Sequence, residues 1–161
     1  MDRKSVWSFG NLTMSISKIR IRIRPYLSEA CALLLCLLFT YTAISKVYDW
    51  QGTKGGLYNQ VFPDWLATAL LYGLPPVELI TAVMLISNPF RKTGFLVSII
   101  LLTAFSIYIG IVMTGIFGRI PCSCGGVINS LSWGEHLVFN LVFLGLAVVG
   151  RISEECKMRR E

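Results

Sequence analysis

Two cysteines one residue apart, Cys122 and Cys124, are followed directly by Gly125 and Gly126 and then by Trp133, Glu135, His136 and Asn140. Residues 122–140 thus gather two thiols, the only histidine of the chain, a carboxylate and an amide. A thiol pair beside an imidazole is equipment for thiol–disulfide exchange. The thiolate is the nucleophile, and an imidazole nearby can stabilise it or carry its proton. A Cys-x-Cys disulfide closes a small ring, and its α-carbons must bend to reach about 5.5 Å. The two glycines supply backbone freedom there. Such a ring is expected to be strained, and so labile rather than bracing. Which cysteine attacks and which resolves stays open.

A metal is the competing use of these groups. Two thiolates and His136 suit Cu(I), and with Glu135 they suit Zn(II). The spacing matches none of the usual zinc patterns, which place two or more residues between paired cysteines. No metal is expected.

The rest of the chain must position this cluster, and it reads almost wholly as hydrocarbon-soluble helix. Of 161 residues, 54% are apolar and only 15% charged, with mean hydropathy +0.63. A soluble domain carries about 25% charged residues. Residues 30–45, 93–118 and 137–150 hold no charge at all. Uncharged apolar runs near 20 residues cross a hydrocarbon core of about 30 Å as helices. Four spans are predicted, at residues 25–45, 65–87, 94–114 and 133–150, joined by loops at 46–64 and 115–132 and by the tight basic turn Asn88-Pro89-Phe90-Arg91-Lys92. The fold class is an all-α, four-helix membrane bundle. It divides into a basic tail (1–24), a membrane domain (25–150) and a charged tail (151–161).

On a helix beginning at Trp133, His136 and Asn140 follow at i+3 and i+7, which makes one stripe. His136 falls about 5 Å below the helix start, beneath the thiol loop, and Glu135 falls off the stripe. Pro75-Pro76 in the second span is followed two residues later by Glu78. Proline kinks a membrane helix and frees a carbonyl, and a carboxyl at that depth is a functional candidate. Glu78 serves either the chemistry or the cohesion of the bundle, and it lies about 20 Å from the helix start, too deep to touch the thiols directly. Trp50 reads as an interfacial anchor, with Lys46 and Asp49 closing the first span beside it.

Charge sets the expected orientation. The N-terminal tail carries six Lys and Arg, the turn at Arg91-Lys92 two, and the C-terminal tail four, against Lys46, Lys54 and Arg119 on the other side. Twelve against three places both termini in the cytoplasm. This also accounts for the net charge of +6 without nucleic acid. The alternating run Lys18–Arg24 is a topology anchor, a one-faced strand or a tail resting on anionic lipid, and no cleaved leader is expected. Cys122 and Cys124 then face an oxidising periplasm and Cys156 a reducing cytosol. Cys31 and Cys36 read as packing residues of the first span.

At this point the chain resembles a known family. Phe39-Thr40-Tyr41-Thr42-Ala43-Ile44-Ser45-Lys46, Leu74-Pro75-Pro76-Val77-Glu78-Leu79, and Cys122-Ser123-Cys124-Gly125-Gly126 with Trp133, His136 and Asn140 resemble the DoxX-like membrane proteins, and within them the MauE branch, over about residues 25–150. The resemblance implies a multi-pass protein of the bacterial inner membrane that supports maturation of periplasmic redox enzymes. In that branch the client is methylamine dehydrogenase, whose small subunit needs many disulfides. It implies a periplasmic thioredoxin-like partner or a maturing enzyme. The long basic tail and the glycine pair depart from the pattern, so the redox theme carries over better than the substrate. Cys122, Cys124 and His136 are the candidate catalytic residues, with Glu78, Asn140 and Trp133 supporting them. Two other readings stand beside exchange: a non-catalytic membrane scaffold, and a thiol oxidant linked to quinone near Trp133 and His136. Quinone is the one cofactor the residues leave room for.

Overall fold

The computed structural model describes residues 3–60, 63–115 and 132–158, with side chains described for residues 26–60, 63–115 and 132–156. All regular structure among them is helical: α1 (Arg3–Tyr48), α2 (Trp50–Tyr58), α3 (Asp64–Ile86), a 3-10 turn (Asn88–Phe90), α4 (Arg91–Met113) and α5 (Trp133–Met158). Each predicted span lands on a helix. Four stretches are long and apolar enough to cross a membrane: Tyr26–Tyr48, Asp64–Ile86, Asn88–Met113 and Trp133–Cys156.

Three local readings differ. The basic run Lys18–Arg24 is neither strand nor loose tail in its backbone, because α1 is continuous from Arg3. The stretch after Lys46, read as loop, contains α2 in spite of three glycines. Asp49 caps it by accepting from Gly52 N at 3.0 Å, and Trp50 packs at a tilt against Tyr72 of α3 with ring centroids 5.3 Å apart. Capping and tertiary packing together offset the poor helix propensity of glycine. The helix of the fourth span runs past Gly150 to Met158, with Ser153 and Glu154 buried. A charged turn packs inside because the bundle supplies its partners, as described below.

The helices form a ring in which α1 and α4 each pack on α3 and α5, while the backbones of α3 and α5 do not approach closely among the described residues. The core is Cys31, Ala32, Leu35 and Phe39 of α1, Ala82 and Leu85 of α3, Phe95 and Leu102 of α4, and Ala147 of α5. Cys31, Cys36 and Cys156 are free, and the first two pack in or against this core, as their spacing predicts. The outer surface is as apolar as the core, with Leu37, Val83, Ile100 and Val138 each about 60% exposed. Lipid, not water, is the solvent for that surface, and the helices satisfy their own backbone.

Without a hydrophobic drive between helices in lipid, close backbone approach does the packing, and small residues permit it. Gly94 shows this most sharply. A Cβ there would lie 2.9 Å from Leu85 N and 3.1 Å from Met84 C, both backbone atoms of α3. Backbone cannot rotate away, so Gly94→Val is expected to force α3 and α4 apart at a cost of about 3 kcal/mol. Thermal unfolding in detergent checks this, and a midpoint unchanged from wild type would sink it. A Cβ at Gly150 would come closer still to the Phe95 ring and lie 3.0 Å from Cys31 Cβ, but there the obstacle is side chain.

Candidate functional site

Call the end where α4 stops and α5 starts the upper end. α4 closes on Gly115, whose φ of 70° is the left-handed conformation that glycine adopts freely. Ser132 opens α5 with a capping box. Glu135 Oε2 accepts from Ser132 N at 2.7 Å and Ser132 Oγ at 2.9 Å, and Ser132 Oγ accepts from Glu135 N at 3.4 Å. Glu135 is thereby occupied as a cap. The Ser-x-x-Glu signal for it was present in the sequence. Cys122 and Cys124 lie between these ends, outside the described residues.

The expected stripe on α5 forms. Trp133 and His136 are partly buried and Asn140 is buried at 6% exposure. His136 lies within electrostatic reach of the Lys46 ammonium of α1. The same two helices meet at the lower end, where Ser28 Oγ donates to Glu154 Oε2. The interval is 18 residues on both helices (28 to 46, 136 to 154). That separates two polar layers by about 27 Å, close to the hydrocarbon thickness.

Lys46 is the residue that sequence reasoning misplaced. It does not end its span at an open interface but turns into the bundle to meet Glu78. Its Nζ donates to Glu78 Oε1 at 2.7 Å, to Glu78 Oε2 at 3.1 Å and to the Thr42 carbonyl at 3.4 Å. Side-chain exposure is 23% for Lys46 and 3% for Glu78. Helical side chains lean toward the N-terminus of their own helix. Lys46 therefore reaches down from the top of α1, and Glu78 reaches up along α3. The Thr42 hydroxyl, 3.1 Å from the Phe39 carbonyl, is also within hydrogen-bonding reach of Glu78, and its single proton serves one of the two. A lone cation and a lone carboxylate ending in the same apolar bundle was the available signal.

The count of donors decides what this pair can do. All three ammonium protons of Lys46 have acceptors, and both Glu78 oxygens have a donor. Neither is a free acid or base, so the pair ties α1 to α3. α3 continues through Pro75-Pro76 without interruption, and the proline rings leave the Leu71 and Tyr72 carbonyls without their helical donors.

At the lower end Arg91 is buried. Its Nε donates to the Leu85 carbonyl at 3.1 Å, and its Nη1 lies 3.9 Å from Glu154 and 4.0 Å from Glu29. Arg151 donates to the Lys92 carbonyl at 2.9 Å and pairs with Glu155. Among the described residues no cluster of His, Cys, Asp and Glu has metal-ligand geometry.

A bundle of four spanning helices with one buried ion pair across α1 and α3, and a histidine–amide stripe opening its last helix, defines a small multi-pass membrane protein. The chain belongs to the MauE family: the family described as "Methylamine utilisation protein MauE" matches residues 24–153. It is similar to the methylamine utilization protein MauE of Paracoccus denitrificans, 30% identical over 129 residues, which covers 78% of this chain and 69% of that protein. No solved structure matches the chain significantly.

Proposed function

We propose that this protein carries out thiol–disulfide exchange through Cys122 and Cys124 in support of periplasmic redox maturation in a bacterial inner membrane. The observation that carries the reading is the placement of His136. The only imidazole of the chain sits in the first turn of α5, immediately after the thiol segment, with its neighbour Lys46 held by Glu78. The name of the Paracoccus relative connects the reading to methylamine utilisation, where an enzyme rich in disulfides is the fitting client and a thioredoxin-like protein the fitting partner. The excess of Lys and Arg at the lower end and in both tails supports an upper end facing the periplasm.

In the exchange, a thiolate of the pair attacks a sulfur of the partner's disulfide. An S–S bond forms between the two proteins as the partner's other thiolate leaves. The second cysteine then attacks the mixed disulfide and releases the partner as a dithiol. Two electrons pass to the partner, and the loop becomes a disulfide; the reverse direction runs the same steps backwards. His136 serves as proton carrier for the attacking thiol, while Trp133 and Asn140 frame it.

Single substitutions Cys122→Ser and Cys124→Ser test this. One of the two is expected to accumulate a mixed disulfide with a periplasmic protein, visible on non-reducing gels and lost with reductant. His136→Gln is expected to slow formation of that species by about 100-fold. Failure of both cysteine variants to trap any partner, with both thiols blocked to membrane-impermeant maleimide in intact reduced cells, would favour the scaffold reading.

A further inference from the structure

α1 is one continuous helix from Arg3 to Tyr48, yet its membrane-spanning part begins only at Tyr26. Residues 3–24 therefore make about six turns of helix, about 33 Å long, that leave the lower end of the bundle. They include Arg3, Lys4, Lys18, Arg20, Arg22 and Arg24 and no acidic residue. Placed on that helix, Phe9, Leu12, Ile16, Ile19 and Ile23 recur at alternating steps of three and four. At 100° per residue they share an arc of about 80° and form one apolar stripe. Lys4 and Arg22 fall on one flank of the stripe, Arg20 and Arg24 on the other. Trp7, Met14 and Ile21 fall on the far side, each two turns from the next, and make no continuous seam.

Gly10, Asn11, Thr13, Ser15 and Ser17 are weak helix formers in the middle of this segment. A helix in a protein draws most of its stability from packing an amphipathic face, so the stripe calls for a cover. Charge selects which. In a parallel pair of copies, Arg20 and Arg22 would border the seam from both chains, and no carboxylate in residues 3–24 would answer them. An anionic bilayer surface answers both features at once: the acyl boundary takes the apolar stripe, and the phosphates take the flanking cations. That surface is also at hand, because the helix runs directly into a span. Pro25, the only proline of α1, stands at the junction. It deprives the Ile21 carbonyl of its helical donor, and proline is where a helix bends.

We propose that residues 3–24 are an interfacial helix that turns at Pro25 and docks, through the Phe9–Ile23 stripe and its basic flanks, on anionic phospholipid at the lower end of the bundle. The span crosses the membrane, and this segment lies along it.

The test is backbone hydrogen exchange of the full chain, read by mass spectrometry, in nanodiscs holding one copy each. Adding phosphatidylglycerol to phosphatidylcholine discs is expected to slow exchange in residues 3–24 by about tenfold or more. Arg20→Gln/Arg22→Gln/Arg24→Gln should abolish the difference between the two discs. Ile16→Ser/Ile19→Ser, on the stripe, should lose the protection, whereas Met14→Ser/Ile21→Ser, on the far side, should keep it. All these positions lie outside the spanning segments, so unchanged exchange in α3, α4 and α5 confirms that each variant folds. Equal exchange in neutral and anionic discs overturns the proposal. So does protection that appears only in discs holding two copies, which assigns the stripe to a second chain. Equal loss in the two serine pairs shows that the stripe is not the docking face and overturns it as well.

Discussion

Lys46→Met is expected to destabilise the folded protein by about 3–5 kcal/mol, the usual cost of stranding one partner of a buried ion pair. Glu78 would be the stranded group. It is 3% exposed at the side chain and lies well inside α3. The reciprocal change, Glu78→Gln, should cost less, about 1–3 kcal/mol. Gln keeps an oxygen for the ammonium, and Lys46, two residues from the end of α1, can extend its chain to the headgroups. The double replacement Lys46→Met/Glu78→Met should recover most of the loss, because apolar pairs of similar volume often match buried ion pairs. Unfolding in detergent, arranged as a double-mutant cycle, measures each value and the coupling between them. Additive losses, or a Glu78→Gln variant weaker than Lys46→Met, would mean that the pair does not tie α1 to α3. The cycle also separates cohesion from chemistry: if the double variant folds but exchanges slowly, the charge beside His136 matters in its own right.

The second large effect is expected at Arg91. Its guanidinium bonds the last turn of α3 through the Leu85 carbonyl and stands about 4 Å from carboxylates on α1 and α5, so it touches every other helix of the ring. Arg91→Leu strands Glu154, 7% exposed at the side chain, with only the Ser28 hydroxyl. A loss of about 3–5 kcal/mol follows by the same argument. Arg91→Lys should recover only part of it. An ammonium is a point charge on a flexible stem and lacks the planar group that bonds the Leu85 carbonyl through Nε while holding its charge beside two carboxylates. Arg91→Leu/Glu154→Leu should be milder than Arg91→Leu alone. The thermal midpoint of each variant in detergent gives the ranking, and a lysine variant as stable as wild type would show that only the charge counts.

Much of this was legible in the chain. Run length and charge gaps found every spanning helix, and the 3.6-residue period put His136 and Asn140 on one stripe. The Pro-Pro-x-Glu element marked Glu78 as unusual. The errors have local causes. Three glycines argue against α2 as long as neither the Asp49 cap nor the packing of Trp50 against Tyr72 is visible. The charged residues after Gly150 argue for ending the fourth span there. Gly150 is instead a close-packing position, and Glu154 is paired with Arg91 of α4 and accepts from the Ser28 hydroxyl of α1.

By itself the sequence determined that this is a four-span membrane bundle, and it located the reactive residue types. A chain in lipid must satisfy its backbone within each segment, so spans are local and readable from hydropathy. Only the tertiary structure decided which polar groups meet: Lys46 with Glu78, and Arg91 with Glu154. Those pairings depend on the register between helices, which close contacts at Gly94 and Gly150 set and which no local period encodes.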